Sequence, residues 1–263
     1  MKIIWMSDPH LQNAGTIGGL DPRARLKAAL DHANAHYPDA AFVVMSGDLV
    51  GDEIEGDYAL MADFMARSDL TVLPMAGNND NRQGLLHQLP LPEGGMDGFV
   101  QYAVDLPECV LLCLDTHKEG AHAGAFCEAR LAWLEQRLKQ AGDKPVHVFM
   151  HHPPMALGLP KQDEIMLENG DAFLDVVARY NNVAHLYMGH VHRQTNGSLR
   201  GIPFATIGAV SFQAPAPRPE WDWESFQPPK EAPRYAVVDI NGADVCMQHI
   251  QFCAYGVGLE GTS

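Results

Sequence analysis

The sequence is poor in basic residues, and that deficit excludes several classes of protein. Lys and Arg number 18 against 33 Asp and Glu, which gives a formal net charge of −15. Nonspecific nucleic-acid binding depends on Lys and Arg contacts to phosphates. A general polynucleotide binder and a protein that adheres to an anionic membrane surface are therefore both disfavoured. A small anionic substrate is compatible with this charge if bound metal ions make its pocket positive.

The sequence also lacks paired cysteines and long apolar runs. Its five Cys are odd in number and include no Cys-x-x-Cys spacing, so we expect reduced and mostly buried thiols in a reducing cytoplasm. No stretch approaches the roughly 20 consecutive apolar residues of a membrane span, and no signal peptide is recognisable. The first candidate ligands stand at positions 8 and 10, so a cleaved leader would remove them.

Short apolar runs alternate with segments of helical periodicity, which is typical of an α/β protein. Hydrophobic residues make up 46% of the 263-residue chain, enough to bury a sizeable core. The predicted strands cover residues 2–6, 41–45, 71–75, 99–105, 109–114, 146–150, 183–188, 202–207, 234–240 and 245–252. One predicted helix begins at Asp21-Pro22, which reads as an N-cap followed by Pro at N1. Three further helices are predicted over 57–67, 128–141 and about 171–180.

Five segments share one design, in which an apolar strand is followed by a sharp turn and polar side chains. They read IIWMSDPH, FVVMSGD, TVLPMAGN, HVFMH and HLYMGHVH. In open α/β sheets, sites form at the carboxyl ends of the strands, so these five ends converge if the strands share one sheet. The side chains that would meet there are those of Asp8, His10, Asp48, Asn78, His151, His190 and His192.

This set offers two carboxylates, four imidazoles and one amide oxygen. Mixed nitrogen and oxygen donors suit first-row metals such as Mn, Fe, Co or Zn, and seven ligands are too many for one tetrahedral zinc ion. They suit two ions that share a bridging carboxylate. Each motif alone is weak, because Asp-x-His and Gly-Asp occur in ordinary turns and a lone His fits a hydrogen-bonded core. All five in order, each after a strand, make coincidence improbable.

The motifs resemble those of the calcineurin-like metallophosphoesterase superfamily, whose pattern is D-x-H, G-D, G-N-H-D/E, a His after a strand, and G-H-x-H. The resemblance spans positions 8 to about 210. Here the pattern reads Asp8-Pro9-His10, Gly47-Asp48, Gly77-Asn78-Asn79-Asp80, His151 and Gly189-His190-Val191-His192. The spacing, with HHPP at 151–154, LDT at 114–116 and LAWLEQRL at 131–138, is most similar to class III cyclic-nucleotide phosphodiesterases and bacterial glycerophosphodiesterases.

The resemblance implies a four-layer αββα sandwich of two mixed β-sheets flanked by helices. It also implies a division of the ligands between two ions bridged by Asp48: Asp8, His10 and His192 for the first, and Asn78, His151 and His190 for the second. A metal-bound hydroxide would attack phosphorus, since a metal lowers the pKa of water far below about 15.7. Mn²⁺ and Fe²⁺/Fe³⁺ are the expected ions, with Zn²⁺ or Co²⁺ as alternatives.

The chain departs from the family pattern at Asn79, which stands where the family has a His that is usually assigned to contact the phosphate and help protonate the leaving group. An Asn donates hydrogen bonds but cannot transfer a proton at neutral pH. Three explanations are open: another histidine takes the role, the substrate has a better leaving group, or metal-bound water protonates the product. The alternative histidines are His87, His117, His122 and His152. We expect Asn79 still to contact the substrate phosphate, and His152 to support the metal shell through its neighbour His151.

Together these features predict a cytoplasmic metal-dependent phosphodiesterase that acts on a small diester, either a cyclic nucleotide or a glycerophosphodiester. A phosphomonoesterase is one alternative, and a closed, basic pocket would favour it. A metal-dead interaction scaffold is another, although such relatives lose ligands and this chain keeps all seven. Lys118 and Arg193 are either anion-binding groups or ordinary surface charges.

Residues 214–233 differ from the rest of the chain, since they hold six Pro, two Trp and one Phe. Long loops without regular structure often serve as lids, whereas Trp is enriched at subunit interfaces, so a lid and a subunit arm are both open. Trp221, Trp223 and Phe226 could stack a nucleobase or form a homo-oligomer interface. We predict a catalytic domain over 1–210, and an arm or lid plus closing strands of the same domain over 211–263.

Overall fold

The computed structural model describes residues 1–51 and 58–259. In these ranges the strands are β1 (Lys2–Met6), β2 (Phe42–Met45), β3 (Thr71–Pro74), β4 (Tyr102–Asp105), β5 (Val110–Cys113), β6 (Val146–Met150), β7 (Val183–Met188), β8 (Asn196–Leu199), β9 (Ile202–Thr206), β10 (Arg234–Asn241) and β11 (Asp244–Gln251). The helices are α1 (Pro22–His36), α2 (Ala59–Met65), α3 (Arg82–Gln88), α4 (Glu128–Ala141), α5 (Pro160–Asp163) and α6 (Gly170–Val177). Within the described ranges no helix combines the length and apolarity needed to cross a membrane.

The strands form two mixed sheets. The first has the order β11-β10-β1-β2-β3, and the second has the order β4-β5-β6-β7-β9-β8. β1, β2 and β3 run parallel, and β10 joins β1 antiparallel. β5, β6, β7 and β9 run parallel, with β4 and β8 antiparallel at the two edges.

The two sheets pack face to face through aromatic side chains. The Trp5 ring on β1 meets Phe149 on β6 and Tyr187 on β7 edge-on, with centroids 6.1 and 5.4 Å apart. Leu26 and Leu30 of α1 pack into the core of the first sheet, while Leu134 of α4 and Phe173 of α6 pack with the second. This arrangement confirms the predicted pair of mixed β-sheets flanked by helices.

The predicted elements differ from the observed ones mainly at their ends. The predicted helix 57–67 is observed over Ala59–Met65, and position 57 lies outside the described residues. The strand predicted at 99–105 begins only at Tyr102. Sequence patterns did not predict α3, α5 or β8, because two of these are short helices and the third is the polar stretch NGSL.

The expectation of mostly buried thiols is wrong, although all five cysteines are free. Cys109 and Cys113 are buried, whereas Cys127 and Cys246 are exposed. Cys127 is exposed because it precedes α4 at its N-cap. Cys246 lies on β11, the edge strand of the first sheet, where side chains alternate between the core and solvent.

The strands that carry the five motifs do not share one sheet. β1, β2 and β3 belong to the first sheet, while β6 and β7 belong to the second. Their carboxyl ends nevertheless meet, because the sheets stack with these ends on the same side. Two hydrogen bonds show this directly: His151 Nδ1 lies 2.8 Å from the Ser46 carbonyl oxygen, and the His190 N–H donates to Asp8 Oδ2 at 3.1 Å.

Candidate metal centre

The turns after the motif strands hold an unusual backbone conformation. Asp8 N–H donates to the Gly47 carbonyl and His10 N–H to the Asp48 carbonyl, so the loops after β1 and β2 run side by side. Five candidate ligands have positive φ angles: Asp8 (54°), His10 (45°), Asp48 (48°), His190 (68°) and His192 (50°). Non-glycine residues rarely adopt this region, and such strain concentrates at functional sites.

Glycines in these turns permit the close approach of the ligands. A Cβ at Gly77 would lie 2.2 Å from Asp48 Oδ1, and one at Gly189 would lie 2.2 Å from Ser7 Oγ. Gly47, with φ of +97°, leaves its space to the His151 ring. Glycine precedes Asp48, Asn78 and His190 in the motifs because a side chain at these positions would collide with neighbouring atoms.

One set of side chains surrounds Asp8 at the ends of β1 and β7. His192 Nε2 lies 3.2 Å from Asp8 Oδ1 and 3.0 Å from His10 Nε2. His10 Nε2 is also 3.6 Å from Asp48 Oδ2. Three donors of different residues therefore converge on one point, with Asp48 as a neighbour.

A second set surrounds His151 at the end of β6. His151 Nε2 lies 3.3 Å from Asn78 Oδ1 and 3.3 Å from His190 Nδ1. It is also 3.4 Å from Asp48 Oδ1. Asp48 thus turns one carboxylate oxygen toward each set.

Hydrogen bonds to the far side of the imidazoles fix their orientation. His151 Nδ1 faces the Ser46 carbonyl and His192 Nδ1 faces the Phe212 carbonyl, each at 2.8 Å. A carbonyl only accepts, so each Nδ1 carries a proton and each Nε2 is turned into the cluster. Such outer partners are typical of metal-binding histidines.

The donor set fits metal ions. Six of the seven candidate ligands are buried and Asn78 is half-buried. Asp8 Oδ1 and His190 Nε2 are buried without a hydrogen-bond partner among the described residues, a costly state for polar atoms. Buried Asp and His donor atoms within 4.8 Å of one another include the groups Asp8–His10–His192 and Asp8–Asp48–His151. Cations held by these groups would compensate the buried carboxylates.

The electrostatics of the cluster are dominated by its two carboxylates. Burial lowers the pKa of His151, but Asp48 and Asp8 more than reverse this and raise that pKa to about 9. Burial favours a raised pKa for Asp48, yet His151 and His10 hold it well below its usual value. For His190, burial and the neighbouring His151 lower the pKa to about 3. Metal binding at this imidazole would require a deprotonated Nε2 on His151, so it would be expected to release protons.

The cluster opens into a cavity of about 470 Å³. His10, Asp48, Asn78, His190 and His192 line one part of it. Another part is apolar and includes Phe212, Ala214, Trp221, Trp223 and Phe226. The cavity lining contains no Lys or Arg among the described residues, so positive charge in this cavity has to come from bound cations.

The structure places Asn79 in the cavity, between the two ligand sets. Its backbone N–H donates to Asp48 Oδ1 at 2.9 Å, and its Oδ1 accepts from Asn78 Nδ2 at 2.7 Å. Its Nδ2 lies 3.1 Å from His10 Nδ1. Asn79 therefore contacts three candidate ligands and also faces the space where a substrate would bind.

Only one of the four alternative histidines, His122, lines the cavity. His152 is buried behind the cluster with Nδ1 at 2.7 Å from Thr116 Oγ1 and Nε2 at 3.0 Å from the His122 carbonyl. Its ring contacts His151 edge-on at 4.9 Å, so it is placed to support His151. His117 faces the Gly77 carbonyl and His87 is exposed beside Gln83 on α3, both outside the cavity.

The two cations considered as anion-binding groups are not among the residues that line the cavity. Lys118 Nζ lies 2.6 Å from a carboxylate oxygen of Glu168. Arg193 pairs with Glu231 at 3.2 Å and also donates to the Ala214 carbonyl. Each is engaged with protein groups, as expected of ordinary surface and structural charges.

Sequence reasoning missed Phe212 as part of the site. Its carbonyl orients His192, and its ring lies 5.4 Å from that of His10 and 4.6 Å from that of His192. Gln162 and Ile165, near α5, also line the cavity. No periodicity marks these residues, although the proximity of Phe212 to the Pro-rich segment is a weak signal.

Comparison with known proteins places the chain among hydrolases. A family model described as "Calcineurin-like phosphoesterase" matches residues 1–194. A probable cyclic nucleotide phosphodiesterase of Rhodopseudomonas palustris is 40% identical over 217 residues, covering 81% of this chain and 79% of its own length. A glycerophosphodiester phosphodiesterase of Enterobacter lignolyticus is 34% identical over 222 residues, covering 82% of this chain and 79% of its own.

Among solved structures, a dimetal phosphatase from Danio rerio superposes with a TM-score of 0.71. The match covers 96% of both chains at 18% sequence identity. At that identity the likeness concerns the fold, and it agrees with the two stacked sheets described above.

Proposed function

This chain belongs to the calcineurin-like phosphoesterase family, and from that premise we propose that it is a metal-dependent hydrolase of small phosphodiesters. The family match confirms the resemblance inferred from the motifs. The names of the two relatives support diesters of two kinds, a cyclic nucleotide and a glycerophosphodiester. These are the two substrate classes that the sequence predicted.

The position of Asp48 carries the proposal. Its two oxygens lie 3.6 and 3.4 Å from the imidazole nitrogens of His10 and His151, one in each ligand set. We propose that Asp8, His10 and His192 hold one ion, that Asn78, His151 and His190 hold the other, and that Asp48 bridges them. These residues would hold two divalent ions, which would supply an activated water at neutral pH and neutralise phosphoryl charge.

Residues of the chain position the substrate beside that centre. Asn79 reaches the cavity with an amide that can donate to a phosphate oxygen. The cavity of about 470 Å³ is neither closed around the centre nor basic, and it has room for a second substituent on phosphorus. A phosphomonoesterase would need positive groups around the extra phosphate charge, so this lining favours a diester.

We further propose Mn²⁺ or Fe²⁺/Fe³⁺ as the native ions, since nitrogen and oxygen donors together suit these metals. Metal analysis of protein purified from its native host identifies them.

A cytoplasmic location is supported by five free thiols. We also propose a homo-oligomer, and light scattering during size-exclusion chromatography measures its size.

A turnover panel with Mn²⁺ tests the proposed function. It compares bis-p-nitrophenyl phosphate, p-nitrophenyl phosphate, 3′,5′-cyclic AMP, 2′,3′-cyclic nucleotides and glycerophosphocholine. We expect kcat/KM for the diesters to exceed that for the monoester by about tenfold or more, and the Asp48→Asn variant to lose about 10³-fold. A higher kcat/KM for the monoester would refute the proposed phosphodiesterase activity. A protein that binds no metal when Mn²⁺ is added would refute the proposal that it is a metal-dependent enzyme.

A further inference from the structure

Four aromatic residues form a continuous surface along one side of the cavity, here termed the aromatic wall: Phe212, Trp221, Trp223 and Phe226. All four line the cavity that contains the candidate metal ligands. Neighbouring rings contact one another, with centroid distances of 5.2 Å for Trp221–Trp223, 5.6 Å for Trp221–Phe226 and 5.8 Å for Phe212–Phe226.

The aromatic wall is joined directly to the metal centre. The Phe212 ring lies 4.6 Å from that of His192 and 5.4 Å from that of His10, by centroids. Phe226 packs on Phe212, and the two Trp rings extend the surface outward. A phosphoryl group bound between the ligand sets would therefore place its substituent within reach of the wall.

The rings of the aromatic wall also pack on one another. Trp221 and Trp223 meet nearly perpendicular, at 88°. Trp223 is 48% exposed, which leaves aromatic surface uncovered at the mouth of the cavity. A contiguous aromatic surface with an exposed member is typical of an interaction site.

We infer that the aromatic wall stacks a planar aromatic group of the substrate, so that the substrate class is a nucleobase-bearing phosphodiester and not a glycerophosphodiester. This inference rests on the proposed function and narrows it. The absence of Lys and Arg from the described cavity lining agrees with an uncharged substituent. Base stacking tolerates every base, because each has a π-face, so the wall specifies a base without specifying which one.

Kinetics of wall variants test the inference. The variants are Trp221→Leu and Trp223→Leu, and the matched control is Trp133→Leu on α4, which does not line the cavity. With Mn²⁺ we expect kcat/KM for 3′,5′-cyclic AMP to fall about 5- to 100-fold in the wall variants, mainly through KM. Turnover of the ring-free diester glycerophosphoglycerol changes less than about twofold. Equal losses on both substrates, or no loss on either, would overturn the stacking.

A binding measurement without metal separates this inference from the proposed function. In saturation-transfer NMR with adenosine and the metal-free protein, we expect transfer to base protons H2 and H8 in the wild type and in Trp133→Leu. The signal should be lost in Trp221→Leu and Trp223→Leu. If the wild type hydrolyses neither diester, the proposed function fails. If adenosine gives the same signal in all four proteins, the aromatic wall does not bind a base, whatever the turnover.

Discussion

At the scale of single residues, Asn79 is the side chain that most needs a functional account. It bonds to Asp48 and Asn78 and lies beside His10, so it is well placed to orient ligands and to bind phosphate. Its amide cannot deliver a proton to a leaving group. The loss of rate caused by the missing proton donor depends on the basicity of the leaving oxygen, so it can be measured with a series of leaving groups.

The first prediction concerns the leaving group. In wild type, kcat/KM across a series of methyl aryl phosphodiesters should fall steeply as the pKa of the leaving phenol rises. In Asn79→His the slope should flatten, with a gain of about tenfold on the least acidic phenol, because a general acid typically contributes 10²–10⁴-fold. An unchanged slope would show that proton donation at position 79 does not limit the reaction.

His122 is the second residue to test, because it alone of the four alternative histidines lines the cavity. If it supplies the missing proton, His122→Gln should slow alkyl diesters about 10- to 100-fold and leave bis-p-nitrophenyl phosphate within about twofold. His87→Gln is the control, since His87 is exposed on α3 away from the cavity. Equal slowing of both substrates would argue for a structural role.

Gly77 gives a steric prediction. A Cβ there would lie 2.2 Å from Asp48 Oδ1 and 2.3 Å from the Asp48 backbone nitrogen, so Gly77→Ala has to displace the bridging carboxylate. Mn²⁺ affinity, measured by calorimetry, should fall about 10- to 100-fold or more. Gly256→Ala is the control, because its nearest neighbour would be 3.9 Å from the new Cβ. If both variants bind Mn²⁺ with equal affinity, Asp48 is not a metal ligand.

At the scale of elements, β6 and β7 pair His147 with His185 within the second sheet. His185 stacks on Tyr187 with centroids 4.3 Å apart. Burial, together with the nearby His147, lowers the pKa of His185 to about 4. A histidine kept neutral in the folded state stabilises the fold above its unfolded pKa near 6.5, and that stability is lost as the pH falls toward 4.

This pairing predicts how stability depends on pH. When the pH falls from 7.5 to 5, the free energy of unfolding measured in urea should decrease by about 1–2 kcal/mol more in wild type than in His185→Gln. The magnitude follows because a pKa unit corresponds to about 1.4 kcal/mol. The comparison of the two proteins cancels the titration of all distant groups. Parallel pH profiles would show that His185 titrates normally in the folded protein.

At the scale of the whole molecule, the C-terminal part is built into the fold. β10 lies between β11 and β1 in the first sheet. The buried Arg25 guanidinium on α1 donates to the Tyr255 and Val257 carbonyls at 2.6 and 3.0 Å, and also to the Ser211 carbonyl. Residues 211–259 thus close the sandwich, whereas 214–233 contain no helix or strand and carry most of the aromatic wall.

Two chain alterations should separate these roles. Truncation after residue 213 removes β10 and leaves one edge of β1 unpaired, so the chain should lose cooperative urea unfolding monitored by circular dichroism. Replacing 216–228 with a short Gly-Ser linker should keep it, because Arg193 contacts both Ala214 and Glu231 and holds the ends of the segment together. If the truncated chain still unfolds cooperatively, residues 1–213 fold as an independent domain.

The sequence by itself determined the chemistry of the site. The seven candidate ligands each follow an apolar strand within a few residues, and the strands at 2–6, 146–150 and 183–188 have the predicted bounds. The α4 helix also matches its prediction, with Gly142 at its end in a positive-φ conformation. These features are local: period, turn residues and ligand type are all written within short windows of chain.

Only the tertiary structure decided how these pieces meet. The stacking of two sheets brings β6 and β7 over the ends of β1, β2 and β3, which no local pattern encodes. It also selects His122 among the four histidines and carries Phe212 and the two tryptophans to the cavity. Sheet stacking and the path of a Pro-rich segment depend on packing between residues far apart in sequence. Local periodicity in the sequence therefore does not predict them.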